Sequence, residues 1–85
     1  MTRTFHIYNE HSLRVLDGVL SDQYVDGVEF YVDPNTEDTI IEFFHDEEGQ
    51  DVTQCVVTEK LDAKQLQHLI GSVFGHLHKP QPKAA

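Results

Sequence analysis

An α+β fold, with a small antiparallel β-meander of four or five strands and one C-terminal amphipathic helix packed on one face, is what the sequence predicts. Three observations carry that expectation. Three apolar runs rich in β-branched and aromatic residues alternate with turn-forming clusters in the middle of the chain. A helical stripe of apolar residues follows them near the C-terminus. The 85 residues set one small domain as the upper limit and leave no room for a second.

At the N-terminus, Phe5 and Ile7 alternate with Thr4, His6 and Tyr8, the pattern of a half-buried strand. Residues 9–27 admit two readings. Leu13, Leu16 and Leu20 fit a helical period, whereas Leu13, Val15 and the Asp17-Gly18 pair fit a strand and turn. Strand is favoured, because Gly18 inside a helix would cost about 1 kcal/mol relative to Ala and Asp26-Gly27 punctuates the next strand in the same manner.

Val28 to Val32 form the first strand of the meander, and Asp33-Pro34-Asn35-Thr36-Glu37-Asp38 turn the chain. Thr39 to His45 form the second, Asp46-Glu47-Glu48-Gly49-Gln50 the next turn, and Val52 to Thr58 the third, with Cys55 and Val57 sharing a face. Leu66, Leu69, Ile70, Val73, Phe74 and Leu77 then recur at the spacing of a helix lying on a core. Asp62 with Gln65 reads as a capping box that starts this helix close to Ala63, and Pro80 and Pro82 stop it near His78. The expected organisation is a single domain over 1–78 and a flexible tail over 79–85.

The 85 residues carry 15 acidic and 6 basic side chains, a net charge of −9. The distribution is more informative than the total. From Val15 to Glu59 the chain holds Asp17, Asp22, Asp26, Glu29, Asp33, Glu37, Asp38, Glu42, Asp46, Glu47, Glu48, Asp51 and Glu59, and no Lys or Arg. The negative surface such a stretch forms attracts cations, and repulsion among its groups opposes compaction. Solubility accounts for it in part. The sharper account is a negative surface that docks on the basic groove of a nucleic-acid-binding protein, imitating the charge of a nucleic-acid backbone. Direct nucleic-acid binding is disfavoured, because phosphate neutralisation needs a Lys/Arg patch that the central half lacks.

Chemical sites are weaker. His76 and His78 point roughly 200° apart on a helix, and His68 and His76, eight apart, also diverge, so a zinc or nickel site is not expected. Asp33, Asn35, Glu37 and Asp38 offer oxygens for calcium without the spacing of an EF-hand. Cys55 reads as a buried, inert thiol, and one cysteine makes no internal disulfide. There is no Gly-rich phosphate loop, nucleophile elbow or H-E-x-x-H run, so no enzyme, cofactor or metal is expected. Gly71 and Gly75 fall opposite the apolar stripe, with Lys64 and His68 on the side expected to face solvent, and mark a strip where a second chain could approach. No run reaches the roughly 18 apolar residues of a membrane span, and a cytoplasmic protein is expected.

The size, acidity and α+β pattern resemble those of small phage and mobile-element inhibitors that imitate DNA, a likeness of composition that carries over no residue. The functional expectation is a non-enzymatic interaction protein that binds a basic partner surface through Asp33, Glu37, Asp38, Glu42, Asp46, Glu47, Glu48 and Asp51 acting together by charge. The alternative is a homodimer formed through the Gly71/Gly75 helix face or an unpaired sheet edge, with acidity serving solubility.

Overall fold

Asn9 opens a helix where strand is the sequence expectation. Its side-chain Oδ1 accepts from the backbone N–H of Ser12 at 2.9 Å, while Ser12 Oγ accepts from the backbone N–H of Asn9 at 3.1 Å, a reciprocal cap. The structure, a computed structural model, describes residues 1–58 and 60–76. In chain order it contains β1 (Thr2–Ile7), α1 (Glu10–Ser21), β2 (Gly27–Val32), β3 (Thr39–Phe44), β4 (Val52–Val57) and α2 (Ala63–His76). Leu13, Leu16 and Leu20 of α1 are all 0% exposed. Burying each is worth about 1.5–3 kcal/mol, which outweighs the roughly 1 kcal/mol that Gly18 costs in the helix interior. The Asp17-Gly18 pair is therefore helical, and the expected strand over 9–27 is replaced by α1 and a short connection.

The sheet has four strands in the order β1-β4-β3-β2. β2, β3 and β4 form the two expected antiparallel hairpins. β1, however, lies parallel to β4, in register from Thr2 beside Val52 to Ile7 beside Val57, so the sheet is mixed and not a pure antiparallel meander. A parallel neighbour requires a crossover, and a helical 10–21 supplies the first part of one. The second helix also corrects the expectation of a single covering helix.

Side chains at alternate positions define two faces. Ile7, Ile41, Phe43 and Cys55 point to the inner face and join Leu13, Leu16, Leu20, Val25, Leu61, Leu69 and Val73 in one core. The outer face presents Thr2, Thr4, His6, Glu29 and Tyr31 to solvent. Each hairpin turn has its own cause. Asp33 Oδ1 accepts from the Asn35 N–H at 2.8 Å, and Glu37 takes the left-handed conformation, φ 63°, that closes the first turn. Asp46 Oδ1 accepts from the Gln50 N–H at 2.9 Å, with Gly49 at φ 71° in the second.

α2 begins where the capping box predicts, with Asp62 Oδ1 accepting from the Gln65 N–H at 2.8 Å and Gln65 Oε1 accepting from the Asp62 N–H at 3.0 Å. Its apolar stripe, of which Leu77 lies outside the described residues, is split. Leu69 and Val73 enter the core, but Leu66, Ile70 and Phe74 stay exposed, contrary to the expected burial of the whole stripe. The reason is α1: α2 packs beside it, so only the edge of its stripe that borders α1 and the sheet interior is covered. The expected helix end near His78 and the tail over 79–85 lie outside the described residues.

Candidate functional site

The eight acidic residues singled out in the sequence do not converge on one surface. Asp33, Glu37 and Asp38 lie in the β2–β3 turn, and Asp46, Glu47, Glu48 and Asp51 in the β3–β4 turn at the other end of the sheet. The six residues of β3 separate the two groups by roughly 20 Å. Three of the eight hold a turn or an ion pair. Asp33 and Asp46 hold the turns described above, and Asp51 pairs with Arg3 of β1 at 2.9 Å. The Met1 ammonium donates to the Gln50 carbonyl beside that pair.

What the fold does assemble is a band at the β2/β3 side. Glu29 and Glu42 are direct cross-strand partners on the outer face. Next to them a shallow recess of about 270 Å³ is lined by Asp26, Glu29, Asp46, Glu47 and Glu48, with Gly27, Phe44 and Gly49. Among the described residues none of Asp26, Glu29, Glu42, Asp46, Glu47 and Glu48 is in an ion pair; Glu42 accepts only from the Gln54 amide, at 3.4 Å. Like charges placed directly opposite destabilise a sheet. Asp26 and Glu29 join this band only because β2 is paired to β3 in this register, which sequence position alone does not reveal.

A second charged cluster was not anticipated at all. His68 of α2 sits between two carboxylates of α1, with Nδ1 2.6 Å from Glu10 Oε1 and Nε2 2.6 Å from Asp17 Oδ2. Both ring nitrogens face carboxylate oxygens, and only the doubly protonated ring can donate to both at once. Its bond with Asp17 holds the His68 pKa above the usual histidine value, against the opposing effect of burial, and Glu10 reinforces it. Burial pushes the Asp17 carboxyl up, but hydrogen bonds from Ser72 and His68, the His68 charge and a contact from His76 outweigh it and hold Asp17 below its usual range. Ser72 Oγ donates to Asp17 Oδ1 at 2.5 Å, and His76 Nε2 is 3.5 Å from the same oxygen.

The divergence expected of His68 and His76 is thus corrected: the two rings converge on Asp17 from a shared helix, because Asp17 stands opposite the turn between them. His68 packs against α1 and also lines the open groove beside the cluster, together with Asp17, Ser21, Gly71, Ser72 and His76. Gly75 is exposed. A residue reading could have found this cluster once α1 was taken as helical, since Glu10 and Asp17 are two turns apart on one face.

The arrangement does not supply an activated nucleophile. Ser72 bonds a carboxylate and the His68 carbonyl, while His68 has both nitrogens committed to carboxylates, so neither nitrogen of His68 is directed at the Ser72 hydroxyl. Among the described residues no group of three or more His, Cys, Asp or Glu side chains is placed to hold a metal ion.

A third polar cluster closes one end of the inner face. Thr53, 0% exposed, accepts from Arg3 at 3.0 Å and lies 2.7 Å from His45 Nε2, while His45 Nδ1 lies 2.8 Å from the Tyr24 carbonyl. This satisfies a buried hydroxyl and ties the connection before β2 to the β3–β4 end. Cys55 is buried as expected, and burial pushes its thiol up to about 12. No described helix is long and apolar enough to cross a membrane. In comparisons with known proteins, no family model, curated protein or solved structure matches the chain.

Proposed function

We propose that this chain is a non-enzymatic interaction protein that docks on the basic surface of a partner, such as the groove of a nucleic-acid-binding protein, through the carboxylate band Asp26, Glu29, Glu42, Asp46, Glu47 and Glu48. The observation that carries the reading is the Glu29–Glu42 pair beside the acid-lined recess. Opposite charges at such positions stabilise a sheet, and among the described residues no cationic side chain pairs with either glutamate. A cationic partner relieves it and gains long-range attraction during encounter. Compared with the sequence expectation, Asp26 and Glu29 enter the surface, and Asp33, Glu37, Asp38 and Asp51 leave it.

The test is capture of partners from a nuclease-treated lysate by the purified protein, by a variant carrying Glu29→Gln, Glu42→Gln, Glu47→Gln and Glu48→Gln, and by a control changed at the opposite sheet end, Glu37→Gly with Asp38→Asn. The expected result is a nucleic-acid-processing protein retained by the wild type and the control, lost by the fourfold variant, and released by added salt or competing DNA. Retention of the same partner by the fourfold variant, or no retention by any of the three, overturns the proposal.

A further inference from the structure

The inner face of the sheet is only partly roofed. Phe30 and Val32 of the edge strand β2 are 59% and 60% exposed, and beside them Leu66, Ile70 and Phe74 form an uncovered ridge on α2, with Phe74 72% exposed. Between ridge and strand runs an apolar groove of about 180 Å³, lined by Phe30, Ile41, Leu69 and Val73 as well as the ridge itself. Monomeric proteins seldom leave so many large apolar side chains together in water.

We infer that this face is the contact of a two-fold symmetric homodimer, in which α2 and the inner side of β2 pack against the same elements of a second copy. Three features select a second copy as the occupant. Ridge and groove lie side by side on one face, so a two-fold axis seats each ridge in the other copy's groove, as a self-complementary interface requires. The five exposed side chains hold about 500 Å² of accessible surface per copy, which with a surrounding rim approaches the roughly 800 Å² per partner of a stable interface. The charge also permits it despite a net −9. Glu29 and Glu42 point to the opposite side of the sheet, and the border near Leu66 is of mixed sign, with Lys60 beside Glu37 and Asp38. The contact is distinct from the Gly71/Gly75 strip expected from the sequence.

Sedimentation equilibrium of the full chain across about 1 µM to 1 mM, the range of modest to weak affinities, tests this directly. The wild type is expected to pass from 9.7 kDa to twice that mass. Dimerisation should persist or strengthen with salt, whereas binding through the carboxylate band weakens with salt, so the two proposals fail independently. Phe74→Asp and Phe30→Asp, both at exposed positions on different elements, should each raise the dissociation constant at least about 100-fold while leaving the circular dichroism spectrum unchanged. Hydrogen exchange of the wild type alone should show protection of β2 and α2 that grows with concentration. A monomer throughout the range, a dimer indifferent to both substitutions, or concentration-independent exchange at β2 and α2 overturns the inference. A compact monomer would also point to another occupant, a segment of the chain itself or a different protein.

Discussion

His68 and Asp17, on different helices and 51 positions apart in the chain, approach to 2.6 Å, and Glu10 approaches the other side of the same imidazole as closely. Three hydrogen bonds join α1 to α2 through these groups, and His68 can donate to Glu10 and Asp17 at once only when its ring is doubly protonated. The groups facing His68 are Glu10 and Asp17 from α1, while Ser72 and His76 of its own helix touch Asp17, and Arg14 reaches Glu10 only at 3.9 Å.

Stability should therefore depend on pH with a defined sign. His68 is raised above its unfolded value of 6.5, so its contribution is complete below that pH and is lost as pH rises through the folded value. Asp17 is lowered below 3.8, so its contribution is complete above that pH and is lost as pH falls through the folded value. Both are complete between about pH 4 and 6.5. Denaturant titrations at pH 5.5 and at pH 9 should show the wild type weaker at pH 9, and His68→Gln should lower stability at pH 5.5 by about 1–2 kcal/mol and flatten that difference. Equal pH dependence in the variant would show that His68 is not the titrating clamp.

Gly18 offers a stabilising change. A methyl group there meets nothing within 4 Å, and the residue is exposed inside α1. Gly18→Ala should add about 1 kcal/mol, a Tm increase of roughly 4–8 °C for a domain of this size. A fall in Tm in thermal unfolding followed at 222 nm would contradict the helical placement of Asp17-Gly18.

The Glu29–Glu42 pair makes the opposite kind of statement, since its cost is electrostatic. Glu42→Gln should raise stability by about 0.5 kcal/mol at low salt, and the gain should shrink near 1 M salt, where the screening length is only about 3 Å. Denaturant midpoints at the two salt concentrations measure this. If the same substitution weakens partner capture, stability and binding oppose one another at one residue.

Cys55 reports on opening of the core. With no exposed surface and a thiol pushed up to about 12, it should not react with a disulfide reagent at pH 8 in the folded protein and should react fully in denaturant. The slow rate of labelling without denaturant then measures how often the sheet and helices separate. Rapid labelling of the native protein would show that the inner face near Cys55 is accessible.

The local features are readable in the residues alone. The β-branched and aromatic runs that become Thr39–Phe44 and Val52–Val57, the turn chemistry of Asp33 and Asp46 and the Asp62–Gln65 cap each depend on neighbours within a few positions, and each is legible for that reason. α1 was legible in part: Leu13, Leu16 and Leu20 spell a helical face, but one glycine weighed against them as a local cost. The tertiary structure decided between them, because three fully buried leucines outweigh it. It alone decided that β1 lies parallel to β4, that Asp26 and Glu29 stand beside Glu42 and Glu47 while Asp33 and Glu37 lie at the far end, and that His68 reaches Glu10 and Asp17. These relations join residues far apart in the chain, and they follow from which surfaces pack together, a property of the whole core that no local pattern contains.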